Sequence, residues 1–272
     1  MTDLQPHRFR SRDGWELAYR ELGAGRPLVL IHGFFSSAVE TWVRPGHAAR
    51  LADLGYRLLM PDLRGHGDSA RPHDASAYPP DVTADDGLAL VSHLGLTAFD
   101  LGGYSLGART TVRMLARGAT PGRVVVAGQG LREIVGDSAG GAAWFRRVLT
   151  NLGTFPRGTP EWRAEEYMRS LDGDPVALLR ILDTAMPTPR PTLARILTPA
   201  LVLAGRGDVR DALALAECLP HARYAAVPGN HVTALAHPEF GVAIADFLGP
   251  GSAVPGGPPG GLRSPGPSPN AG

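Results

Sequence analysis

Short apolar runs, each followed by Gly, Asp or Asn, alternate along the chain with longer stretches of helical periodicity, a pattern that predicts an α/β fold with a largely parallel sheet. After a hairpin expected over 8–19, such runs fall at 28–31, 57–60, 99–102, 124–127, 200–204 and 224–227. They are close to continuously apolar, as strands covered on both faces are. The covering helices are expected around 48–54, 84–94, 106–117, 211–219 and 238–248. The alternation fails once. Between 131 and 196 there is no comparable run, only helix-like segments holding Trp144, Phe145, Trp162, Tyr167, Met168 and the apolar stretch 178–182. An inserted helical cap accounts for this: residues 1–131 and 196–248 form the two halves of the core, and 132–195 the cap between them. From 249 to 272 Gly, Pro and Ser dominate, and too little is apolar to offset the entropy of ordering, so a disordered tail is expected there.

Composition narrows the chemistry. With 272 residues and 43% hydrophobic content the chain can bury a single core without covalent staples. Its 27 basic and 26 acidic residues leave a formal charge of +1, without the electrostatic footprint of a nucleic-acid binder. Every basic residue is arginine, so chemistry that needs a lysine amine is excluded: Schiff bases, pyridoxal phosphate attachment and the phosphate-binding lysine of a P-loop. The single cysteine, Cys218, excludes an intrachain disulfide, a thiolate zinc cluster and an iron–sulfur centre. No H-E-x-x-H or clustered ligand spacing occurs, so no metal is expected. The polar N-terminus has no secretion-signal core, and no stretch approaches the roughly 18 apolar residues of a membrane span. A soluble cytoplasmic protein with no membrane partner is the expectation.

Gly103-Tyr-Ser105-Leu-Gly107 is a G-x-S-x-G pentapeptide set between a predicted strand and a predicted helix. That is the context in which a sharp turn exposes a serine hydroxyl, and it makes Ser105 the candidate nucleophile. A serine needs a base to take its proton and a carboxylate to orient that base. Asp208, just past the run 200–204, and His231, just past 224–227, stand in the required chain order and at carboxyl ends of strands, where sites assemble in parallel sheets. Asp208 also has the reading of a helix N-cap, and Asp211 and Glu133 are the alternative carboxylates. Two backbone N–H groups are needed for an oxyanion; Leu106, after the nucleophile, and Phe34, in the glycine turn after 28–31, are the candidates. Phe35, Trp144, Phe145, Trp162, Tyr167 and Met168 are candidates for an apolar binding chamber, although their spacing equally fits helix packing. The cap arginines Arg146, Arg147, Arg163 and Arg169 are read as solvated charges.

Taken together, these residues make the chain from Arg8 to Leu248 resemble the α/β-hydrolase superfamily. Pro61-Asp-Leu-Arg-Gly-His-Gly-Asp-Ser69 is similar to a D-x-R-G-x-G-x-S turn of the esterase, haloperoxidase-like and C–C-hydrolase branches. The stretches around Gly33 and Ser105 look closest to small esterases and perhydrolases. The resemblance implies an eight-stranded, mostly parallel sheet with a lid after the sixth strand, and no cofactor. Serine at the elbow argues against the epoxide-hydrolase and haloalkane-dehalogenase branches, whose nucleophile is a carboxylate. The segment from Asp208 to His231 is shorter than is usual in the family, which predicts a trimmed helix there. The expected chemistry is transfer of the acyl group of a small ester, thioester or lactone. The alternatives are C–C bond cleavage or perhydrolysis on the same triad, or a non-catalytic ligand-binding protein.

Overall fold

The computed structural model describes residues 4–137 and 140–251. Eight strands form one sheet: β1 (His7–Arg10), β2 (Glu16–Leu22), β3 (Arg26–Ile31), β4 (Tyr56–Pro61), β5 (Asp100–Tyr104), β6 (Val124–Ala127), β7 (Ala200–Gly205) and β8 (Ala222–Val227). Their order is β1-β2-β4-β3-β5-β6-β7-β8. β1 and β2 pair antiparallel with each other, as do β2 and β4, and every later neighbour is parallel. β3 to β7 are apolar on both faces because helices cover both sides, whereas the outermost β8 is largely half-exposed. The strand expected at 99–102 instead runs to Tyr104. Gly102 packs closely between Leu30 and Val125, where an added Cβ would lie 3.1 Å from a side-chain carbon of each.

The helices are α1 (His47–Asp53), α2 (Val82–His93), α3 (Leu106–Ala116), α4 (Leu131–Val135), α5 (Gly140–Thr150), α6 (Pro160–Ser170), α7 (Pro175–Leu182), α8 (Arg190–Leu193), α9 (Val209–Cys218) and α10 (Pro238–Leu248). α1 and α10 pack on one face of the sheet, α2, α3 and α9 on the other. The helix between Asp208 and His231 is a full ten residues, so the short segment loses loop and not helix. Between β6 and β7 the described residues hold α4 to α8 and no strand. α6 and α7 start at Thr159 and Asp174, whose side chains accept N–H bonds of the first turn, each with proline next in the chain. Val148, Leu149, Met168 and Leu178 form an apolar cluster of these helices with Phe35, and Ala177 and Ile181 pack on Tyr78 and Val82 of the sheet domain. These contacts seat the insertion over the carboxyl edge of the sheet. Of the expected tail, 252–272 lies outside the described residues, and the Gly251 N–H donates to the Leu54 carbonyl at 2.8 Å.

The 61–69 turn is a polar clasp. Asp62 accepts from Arg20 and from the Ala38 and Asp68 N–H groups, and Gly67 is packed too closely on its carboxylate for any Cβ. Arg64 is fully buried and holds Asp86 at 2.7 Å and Asp13 at 2.6 Å. Burial still pushes Asp86 up to about 6 against the pull of Arg64. Replacing Arg64 with methionine leaves that buried carboxylate without a countercharge, and the expected loss of stability is about 3–5 kcal/mol in urea denaturation. Among the described residues no helix is long and apolar enough to cross a membrane, and no group of three or more His, Cys, Asp or Glu is placed to hold a metal ion.

Candidate active site

β5 ends at Tyr104 and α3 begins at Leu106, leaving a single residue to reverse the chain. Ser105 does so at φ 54° and ψ −112°, a left-handed conformation that non-glycine residues avoid. A Cβ on Gly103 would collide with the Gly107 carbonyl, and one on Gly107 with the carbonyls of Ile31 and His32. The pentapeptide therefore needs both glycines for close packing of β5, α3 and β3. The strained turn lifts the Ser105 Oγ above the sheet edge, 3.0 Å from His231 Nε2. His231 is presented by the loop after β8, where Asn230 Oδ1 accepts the Val232 and Thr233 N–H groups, and the Tyr104 hydroxyl donates to the His231 carbonyl.

The residue His231 as a whole is exposed, but its ring lies over that of Tyr104, with centroids 5.6 Å apart. Poor hydration of the ring holds its pKa below the ordinary histidine value, opposed by the charges of Asp208 and Glu133 and by the Gly128 carbonyl. Neutral imidazole is thus favoured, the form that can accept the serine proton. Since only that form is productive, kcat/KM for a chromogenic ester is expected to rise through an acid limb lying below the usual histidine range and to be level by neutral pH. Replacing Asp208 with asparagine removes a charge that raises the pKa, so the limb is expected to move further to acid. A pH–rate profile of both proteins checks this.

The three candidate carboxylates occupy different positions. Asp208 stands at the end of β7, at the N-cap of α9, yet its side chain makes no capping bond. Among the described residues no hydrogen bond joins it to His231; it acts on the ring through its charge. Asp211 is turned toward α4, where it accepts the Arg132 N–H at 3.2 Å and shares a hydrogen bond with Glu133. Burial and that carboxyl–carboxylate bond hold Asp211 above the usual carboxylate range. Glu133 thus reaches both Asp211 and, by its charge, His231, a convergence that its distance from the β6 run concealed in the sequence.

On the other side of Ser105, Gly33 packs so tightly that its missing Cβ would lie 3.3 Å from that of Ser105. Phe34, next in the chain, lines the same cavity as Ser105 and Leu106, the first residue of α3. Among the described residues neither the Phe34 nor the Leu106 amide donates to another backbone group. His32 braces this turn from below, fully buried, with Nδ1–H on the Gly33 carbonyl at 2.7 Å and Nε2 accepting the Leu63 N–H at 2.9 Å. His66 stacks edge-on between His32 and Phe34, and burial lowers its pKa to about 3.

Ser105, His231, Asp208, Phe34 and Leu106 line one cavity of about 910 Å³ under the helical insertion. Of the six side chains read as a binding chamber, Trp144 and Phe145 line it, with the Phe145 ring edge-on to Phe34 at 4.8 Å. The other four do not. Phe35 and Met168 are buried behind the wall in the apolar cluster of the insertion. Trp162 lies under the Arg157 guanidinium, and Tyr167 is exposed with its hydroxyl bonded to Ser36. Helical spacing marked Trp162, Tyr167 and Met168, and the glycine turn marked Phe35, as facing something apolar, and what they face is neighbouring helices or the surface.

The sequence profile of the alpha/beta hydrolase fold family matches residues 26–187, from β3 through α7. The chain is 38% identical to an epoxide hydrolase of Caballeronia sordidicola over 96 residues, covering 35% of this chain and 28% of that protein. It is 37% identical to a non-heme haloperoxidase of Rhodococcus erythropolis over 108 residues, covering 39% and 36%. The match thus spans about a third of the length of these curated relatives. A thermophilic esterase from Thermogutta terrifontis superposes with a TM-score of 0.70 at 25% identity, over 90% of this chain and 98% of that one. With the eight-stranded sheet, the serine turn and a profile match over more than half its length, the chain belongs to the alpha/beta hydrolase fold family.

Proposed function

We propose that this protein is a serine hydrolase that cleaves a small carboxylic ester, thioester or lactone through an acyl-enzyme. The 3.0 Å contact between Ser105 Oγ and His231 Nε2, made on a strained turn, carries the reading. His231 Nε2 takes the Ser105 proton as Oγ attacks the carbonyl carbon, and the Phe34 and Leu106 N–H groups receive the oxyanion. Collapse of the tetrahedral adduct breaks the bond to the leaving group, which leaves with the proton held on Nε2. Water then attacks the acyl-serine, giving its proton to Nε2, and Ser105 is regenerated as the acid departs. Asp208 stabilises the transient imidazolium. Serine rather than a carboxylate at the elbow favours acyl transfer over the epoxide opening named for one of the relatives.

Intact-mass spectrometry after exposure to a fluorophosphonate tests this. One adduct is expected on the wild-type chain and none on Ser105→Ala. A wild-type chain without adduct, or an adduct that survives the substitution, would overturn the assignment.

A further inference from the structure

Four arginines line the cavity and none is used by the proposed reaction; Arg132, Arg206 and Arg210 are exposed to solvent, and Arg109 alone of the four is half-buried. Arg109 stands one turn after Ser105 on α3, its N–H bonded to the Ser105 carbonyl, and its side chain lines the same cavity. The other arginines of α3 are engaged: Arg113 with Asp81 at 2.7 Å and Arg117 with Asp85 at 2.6 Å. So are three on the insertion, Arg146 with Asp183, Arg147 with Glu161 and Arg169 with Glu165. Arg109 forms no ion pair among the described residues; burial pulls its pKa down and only the charge of Glu133 opposes this. A half-buried guanidinium in that condition stays charged and is a costly group to leave without an anion. On the neighbouring wall the Gln129 Oε1 is buried without a hydrogen-bond partner.

Resting on the hydrolase reading, we propose that Arg109 selects a substrate whose acyl chain ends in a carboxylate, held by the guanidinium while Ser105 attacks the ester carbonyl. Arg109 lies on the nucleophile's own helix, about 6 Å along its axis, so a short acyl spacer joins the two points. The planar guanidinium fits a carboxylate with two parallel N–H bonds. A monoanion suits the site better than a dianion, since Glu133 and Asp208 line the same cavity. Phe34, Trp144 and Phe145 form its apolar side, against which the spacer packs.

The test compares the para-nitrophenyl monoesters of succinate and glutarate with para-nitrophenyl butyrate. The wild type is expected to prefer the anionic esters, and Arg109→Gln to lower the anionic-to-neutral ratio of kcat/KM by roughly 10- to 100-fold, mostly through KM. Arg109→Lys is expected to restore some of the ratio, because an ammonium keeps the charge and loses the paired geometry. A wild type without preference, or a ratio unmoved in Arg109→Gln, would overturn the proposal while leaving the hydrolase reading intact. If no ester turns over and Ser105 takes no fluorophosphonate, the hydrolase reading is what has failed. Calorimetric titration with monomethyl glutarate, a monoanion, then decides Arg109: binding by the wild type that Arg109→Gln loses upholds its carboxylate site, and equal or absent binding refutes it.

Discussion

Ser105→Ala is expected to lower kcat on any substrate of this protein by about 10⁶-fold, and His231→Ala by a similar factor. The double variant should be no worse than either, because hydroxyl and imidazole act as one unit: without the base the hydroxyl is a poor nucleophile, and without the hydroxyl the base has no proton to move. The substitution at 105 should cost little stability, since the left-handed turn that holds Ser105 is imposed by the packing of Gly103 and Gly107 and not by the hydroxyl. Steady-state assay beside thermal melting separates the two effects. A Ser105→Ala chain that keeps its fold and most of its turnover would place the nucleophile elsewhere.

The second large effect is expected at Asp208. Asp208→Asn should lower kcat by about 10⁴-fold, as loss of the orienting carboxylate does in other triads, whereas Glu133→Gln and Asp211→Asn should each stay within about tenfold. All three carboxylates lie near the carboxyl edge of the sheet, and geometry separates them. Asp211 is already bonded to the Arg132 N–H and to Glu133 at the start of α4. Asp208 makes no capping bond and exerts the largest favourable charge on His231. Its missing hydrogen bond to the ring is in keeping with catalytic contacts that tighten only once substrate is bound. A crippled Glu133→Gln beside a mild Asp208→Asn would move the acid from the β7 loop to the β6 loop.

Much of the architecture was legible in the chain. Strands covered on both faces need continuous apolar runs, and six such runs with intervening helical periodicity laid out the parallel portion of the sheet to within a residue or two. Ser105 and His231 could be named because each lies within a few residues of a strand's carboxyl end, so topology carries both to the same edge. The lining of the cavity was less readable. Phe35, Trp162, Tyr167 and Met168 carry the same apolar signal as Trp144 and Phe145, yet only the latter two reach the cavity.

By itself the sequence determined the sheet, the turn that holds Ser105, the chain order of the candidate nucleophile, acid and base, and the exclusion of lysine chemistry, of an intrachain disulfide and of a thiolate metal cluster. These follow from local periodicity and composition, which need no knowledge of what lies across the fold. The tertiary structure alone decided which carboxylate stays unbonded beside His231, which aromatic rings face the cavity, and which of the cavity's arginines is half-buried without an ion pair. Those depend on contacts between residues far apart in the chain, such as Glu133 with Asp211 and Arg113 with Asp81, and an ion pair already made removes a charge from the site as surely as a substitution would.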